Sequence, residues 1–93
     1  MESLDKPATD PVLIYFNGGP GGASTFLPFV GMGPYVTVDG FSNLTEWPLS
    51  WNRRANVLYI DNPAGVGYSF AERNIDFVQN DYQYTKDALS FVR

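Results

Sequence analysis

"VLIYFNGGPGGAS", residues 12–24, joins an unbroken apolar run to a stretch holding four glycines and a proline. Val12 to Phe16 is rich in β-branched and aromatic side chains and shows no polar alternation. That pattern predicts a strand covered on both faces in a parallel sheet. A glycine-rich turn directly behind such a strand brings backbone N–H groups close to a negative charge, because glycine has no Cβ to block approach. Two anions fit that description: a phosphate, or the oxyanion of a tetrahedral acyl intermediate. The plain alternative is a tight turn and nothing more.

Spacing argues against phosphate. A P-loop needs Lys and then Ser or Thr after its last glycine, but Gly22 is followed by Ala23 and Ser24, and the nearest downstream lysine is Lys86. The dinucleotide fingerprint comes closer, with Gly19, Gly21 and then Ser24 where Gly or Ala belongs. Pro20 sits inside that turn, however, and breaks the pattern.

Outward from this stretch, residues 1–10 are polar and read as an exposed lead-in. After Ser24 a short helical turn is expected, limited by Pro28, Gly31, Gly33 and Pro34. "YVTV" (Tyr35 to Val38) followed by "DG" predicts a strand running into a turn. Residues 41–54 read as a polar loop with two tryptophans, Trp47 and Trp51, assigned to core or rim. "NVLYID" (Asn56 to Asp61) is the second buried-strand candidate, closed by the loop "NPAGVGYS". The last segment has Tyr82, Thr85, Ala88, Leu89 and Val92 at helical spacing, with Asn80 as N-cap. That helix reaches Arg93 without a Gly or Asn C-cap, which predicts a chain that continues. The expected class is therefore α/β, one unit without repeats.

Composition narrows the function. The chain has 93 residues, 44% of them hydrophobic and 17% charged, enough apolar surface for a core. Six basic and ten acidic side chains give a net charge of -4, and no basic cluster exceeds Arg53-Arg54, so nucleic acid is excluded as an expected partner. No Cys and no His are present. A disulfide framework, a His-based metal site and a complete Ser-His-Asp triad therefore cannot be built from these residues. No cofactor is expected. No stretch approaches a membrane span, and the opening residues lack the apolar core of a signal peptide.

"NGGPGGAS", "GMGPY", "SWNRRANVLYIDNPAGVGYS" and "NDYQYTKDALSFV" occur here in one order. Together they resemble the serine carboxypeptidases, the S10 peptidases of the α/β-hydrolase superfamily, over residues 11–93. The resemblance implies a partial α/β-hydrolase fold, a parallel-strand core with a crossover helix, in one catalytic domain of which residues 1–93 are a fragment. It implies hydrolysis of C-terminal peptide bonds by acyl-enzyme chemistry, on a peptide or protein with a free C-terminus. It also implies a secreted, lysosomal or vacuolar setting.

By the same resemblance, Asn17 matches the asparagine that binds the substrate carboxylate, and Gly18 belongs to that binding segment. Gly19 matches the backbone N–H that forms half of the oxyanion hole. Tyr15 matches a position usually held by Trp, an aromatic wall with a polar tip. The physics of the residues agrees: an amide donor beside exposed N–H groups suits a carboxylate and a carbonyl one residue apart. Asp61 matches a loop-fixing residue, and Gly65, Gly67 and Tyr68 are expected in the floor of the site. Asn43-Leu44-Thr45 is an N-glycosylation sequon in an expected loop.

Two positions depart from the family. Gly22 stands where it has a cysteine, and Gly31 where it has a glutamic acid in the carboxylate-binding network. Losing that carboxyl weakens the expectation of exopeptidase specificity but not of fold. Ser24, Ser69 and Ser90 are not nucleophile candidates, since none lies in a G-x-S-x-G elbow and no base accompanies them. The nucleophile is expected beyond Arg93, so residues 1–93 alone are expected to be inactive, and with their apolar strand edges open, marginally stable. Alternatives are a serine carboxypeptidase-like acyltransferase, or a non-catalytic homologue that binds peptide. Retention of Asn17 favours the peptidase over the acyltransferase.

Overall fold

A computed structural model describes residues 1–93. The chain is α/β, with a parallel strand pair, an antiparallel hairpin and one α-helix. It divides into two compact units, Met1–Tyr15 with Thr25–Tyr59, and Phe16–Ser24 with Ile60–Arg93.

β1 (Val12–Phe16) pairs with β4 (Asn56–Ile60), as the two apolar runs predict. Burial separates the two strands. Val57 and Ile60 of β4 are 1% and 9% exposed, whereas Val12, Leu13 and Ile14 of β1 are 63%, 40% and 41% exposed. The expectation that β1 is covered on both faces therefore does not hold within these residues. Its side chains carry the composition of a buried strand, but no layer of the 93 residues covers it. With Ala55, Val66 and Pro28, β4 supplies the buried apolar side chains.

β2 (Tyr35–Val38) and β3 (Asn43–Glu46) form an antiparallel hairpin in the register Tyr35↔Glu46 to Val38↔Asn43. Asp39, Gly40 and Phe41 turn the chain with φ of 52°, 66° and 70°. β3 corrects the expectation of a loop over residues 41–54. "NLTE" has no apolar alternation because all four residues are exposed, and backbone pairing alone makes it a strand. Residues Ser24–Phe29 form a 3-10 helix that contains Pro28, the short turn expected there.

The lead-in is mostly exposed, but it is not loose. Met1 and Val57 exchange two backbone bonds of 2.7 and 2.8 Å. Asn52, fully buried, donates its amide to the carbonyls of Met1 and Glu2 at 3.0 and 3.2 Å. Asn56 receives the Ser3 N–H and donates to the carbonyls of Pro7 and Asp10. Two asparagine side chains thus serve as backbone partners for a polar segment that has no apolar face of its own. The Ser3 hydroxyl and the Lys6 backbone N–H hold Asp10 below the usual carboxylate range.

The second unit ends in α1 (Asp81–Val92). Asn80 caps it as expected, its Oδ1 accepting from the Gln83 N–H at 3.0 Å, while Gln83 reaches back to the Gln79 N–H at 2.7 Å. Asp81 places negative charge at the positive end of the helix. The inward face keeps the expected Ala88, which is half-buried, but otherwise differs: Tyr84 is half-buried, whereas Tyr82 and Leu89 are 78% and 52% exposed. Position along the stripe decided this. Ala88 and Phe91 line a cavity of about 260 Å³ with Phe16, Ile60 and Phe70, which leaves the Tyr82 side of the helix in solvent.

Candidate functional site

The loop behind β1 is assembled by its own short-range bonds. Ser24, with no exposed surface, accepts the Asn17 N–H on its Oγ at 2.7 Å and so fixes the backbone where the glycines begin. The Asn17 side chain then folds over the loop. Its Oδ1 accepts the Gly18 N–H at 3.0 Å, and its Nδ2 donates to the Ala23 carbonyl at 3.3 Å. The Gly22 N–H reaches back to the Gly18 carbonyl at 3.3 Å.

These bonds decide which donors remain. The N–H groups of Asn17, Gly18 and Gly22 are all taken. Gly19, exposed and at φ of 113°, has an N–H that forms no hydrogen bond, as have Gly21 and Ala23, and Asn17 Nδ2 keeps one of its two hydrogens uncommitted. The loop therefore offers an amide donor and several backbone donors, that of Gly19 among them, and no charged group of its own. Such a set suits an anionic or strongly polarised oxygen acceptor. Beside the loop tip, Pro20 and Gly21 line a cavity of about 320 Å³ together with Pro63, Asn80 and Tyr84.

Tyr15 belongs to the other unit. There it packs edge-on against Trp51, with ring centroids 5.9 Å apart at 78°, and against Tyr59 at 6.2 Å. Trp51 is 47% exposed and Trp47 half-buried, as rim positions should be. Burial, and secondarily Tyr15, pushes the Tyr59 hydroxyl above the ordinary tyrosine range, and that hydroxyl has no hydrogen-bond partner. Gly31 also lies in this unit, at φ of 116°.

The loop behind β4 is braced instead of open. Asp61, 7% exposed, accepts the Tyr68 N–H on Oδ2 at 3.0 Å, and its carbonyl accepts the Ser69 hydroxyl. A side chain at Gly67 would run into the Asp61 carboxylate. Asp61 is thus a brace of this loop, the role expected for it. Tyr68 is 88% exposed, and only its backbone joins the brace. Asn43, the sequon residue, is exposed at the first position of β3 opposite Val38, on a strand and not in a loop.

Of the serines, Ser24 and Ser69 spend their oxygens on loop bonds, and Ser90 lies on an exposed part of α1. Sequence reasoning did not assign Ser24 its pinning role. A small hydroxyl residue at the end of a glycine run, opening a helical turn, is the signal that could have found it. No group of three His, Cys, Asp or Glu side chains could hold a metal ion, and no helix is long and apolar enough to cross a membrane.

Comparison with known proteins follows the same residues. A family model described as serine carboxypeptidase matches residues 1–93. The serine carboxypeptidase ctsa-3.1 of Caenorhabditis elegans is 49% identical over 84 residues, 88% of this chain and 14% of its own length. The probable serine carboxypeptidase CPVL of Dictyostelium discoideum is 38% identical over 93 residues, 100% of this chain and 18% of its own length. The mouse lysosomal protective protein is 36% identical over 93 residues, 94% of this chain and 20% of its own length. The chain thus spans about a fifth or less of the relatives it matches.

Proposed function

Because the chain belongs to the serine carboxypeptidase family, we propose that it supplies the carboxylate- and oxyanion-binding loop of a serine-type carboxypeptidase. The observation that carries this reading is the sorting of donors in the loop: the Gly19 N–H is unclaimed, while those of Gly18 and Gly22 are bonded. Asn17 Nδ2 donates its uncommitted hydrogen to the free C-terminal carboxylate of a peptide. Gly19 donates to the carbonyl oxygen one residue earlier, whose charge grows as a serine oxygen adds to the carbonyl carbon. Collapse of that intermediate breaks the C–N bond and releases the terminal amino acid, and water then frees the acyl group from the serine. A backbone donor already in place at the developing charge needs no reorganisation, and one such donor contributes about 2.7–4 kcal/mol in a comparable site. Gly18 acts indirectly in this scheme, by orienting the Asn17 carboxamide.

The serine, its base and its acid are supplied by sequence outside residues 1–93, which hold no histidine. Tyr15 serves as a substrate-facing aromatic wall, an assignment supported by its polar tip and by the Trp51 ring packed edge-on against it. Secretion or a lysosomal setting fits the accessible Asn43 sequon.

The test uses the full chain and two substrates, a blocked dipeptide with a free C-terminal carboxylate and its C-terminal amide. Asn17→Ala should raise KM for the free acid about tenfold, the effect of one charge-assisted hydrogen bond, and leave the amide within a factor of about two. Equal losses on both would remove the carboxylate role. No turnover by the wild-type chain would remove the peptidase reading altogether.

A further inference from the structure

The open end of the β2–β3 hairpin borders a cavity of about 540 Å³ that lies wholly within the first unit. Its walls follow from the order of the chain. Pro34 and Tyr35 lead into β2, Glu46 closes β3, and the Trp47 N–H ties the two ends by donating to the Pro34 carbonyl at 2.7 Å. Tyr35 stands directly opposite Glu46, so their side chains share one face of the hairpin. Leu4 is held at the same cavity by its N–H, which donates to the Asn52 carbonyl at 2.7 Å, next to Arg53.

Two charges of opposite sign line this cavity. Arg53 donates from Nη1 to the Pro48 carbonyl at 2.8 Å, and the rest of its guanidinium is unclaimed. The Glu46 carboxylate has neither a hydrogen bond nor an ion pair. An acid and a base that border one cavity without pairing together match a ligand that carries both charges itself. The other walls are apolar: Leu4, two prolines, the Tyr35 ring and the half-buried Trp47 ring.

We propose that this cavity binds a free α-amino acid with an apolar side chain, as its zwitterion. Arg53 takes the carboxylate, for which its planar fork of N–H donors is suited. Glu46 takes the ammonium, which the faces of the neighbouring aromatic rings also attract. The ligand's side chain lies against Leu4 and the prolines. A ligand with a single charge would displace water from both charges and match only one, and that penalty selects the zwitterion. The volume falls within the range of single-ligand sites, about 300–1,000 Å³. Hydrolysis of a C-terminal peptide bond releases a molecule of this class, so under the carboxypeptidase reading the ligand is a reaction product. Binding itself does not depend on that reading.

Equilibrium dialysis of the full chain against labelled phenylalanine tests this, with phenylpropanoate and phenethylamine as analogues that each lack one charge. Phenylalanine should bind about tenfold more tightly than either analogue. Arg53→Gln and Glu46→Gln should each weaken phenylalanine about tenfold, and Glu46→Gln should leave phenylpropanoate within about twofold. Asn17→Ala should leave phenylalanine binding unchanged, which separates this cavity from the loop behind β1 and its failure from that of the peptidase reading. No binding, equal binding of the analogues, indifference to both cavity substitutions, or loss in Asn17→Ala alone overturns the proposal. So does a proline-rich peptide that binds where phenylalanine does not. If Arg53→Gln does not fold, Glu46→Gln decides: phenylalanine reduced to the level of phenylpropanoate supports the proposal, and unchanged affinity overturns it.

Discussion

The loop after β1 and the loop after β4 leave two strands of the same pair, and both carry glycines, but they use glycine for opposite purposes. In residues 61–69 the buried Asp61 carboxylate occupies the space above Gly67 and takes up the Tyr68 N–H, so the loop is closed upon its own acceptor. In residues 17–24 no carboxylate is present. An asparagine amide lies over Gly22 instead, and it leaves the Gly19 N–H and one of its own hydrogens unclaimed. A carboxyl brace takes up donors and stabilises the fold, whereas a neutral amide holds the shape and leaves other donors open. The first loop leaves donors open, and the second closes on its own acceptor.

That contrast breaks most readily at Gly67. Gly67→Ala must place a Cβ against the Asp61 carboxylate and adopt φ of 55°. It should lower the unfolding free energy of the full chain by about 2–4 kcal/mol in urea titration. A loss under about 0.5 kcal/mol would show that the second loop is not braced as described. Ser24→Ala comes next. It leaves the Asn17 N–H without its partner in a site with no exposed surface, and should cost about 1–3 kcal/mol. It should also degrade binding, since the first loop loses the pin on which the Asn17 backbone hangs. A stable variant with wild-type KM would separate Ser24 from the site.

Tyr59→Phe is the smallest expected effect and lies on β4, ahead of the braced loop. Removing a buried hydroxyl that lacks a partner should raise stability by up to about 1 kcal/mol. The pH dependence has a definite sign. Burial raises the pKa of Tyr59 in the folded state, so its contribution is fully present below the unfolded value near pH 10 and is lost as pH rises through the folded value. Melting temperatures from pH 8 to 11 should fall less steeply in Tyr59→Phe than in the wild type. Parallel curves would mean that the hydroxyl is not desolvated.

Much of this was legible in the sequence because it depends on local pattern. The apolar runs at residues 12–16 and 56–60 place β1 and β4, Asp39-Gly40 places the turn, and Asn80 places the start of α1. Each of these signals acts within a few residues. What escaped depends on partners farther along the chain. β3 exists through backbone pairing with β2, and its side chains carry no trace of that pairing. The lead-in is ordered by Asn52 and Asn56, some fifty positions away, and no polar composition announces such a bond.

The same division runs through the loop behind β1. The sequence alone determined the family and the place of the glycine run behind a strand, because both are matters of residue type and order. Only the tertiary structure decided which N–H groups are free. Gly18 and Gly19 are identical in composition and adjacent in the chain, yet the Asn17 Oδ1 sits on one and not the other. That choice follows from the Ser24 hydroxyl fixing the backbone and the Asn17 amide bonding across the loop to Ala23. Both are contacts across a turn, set by where atoms meet in space, and one-dimensional order does not specify them.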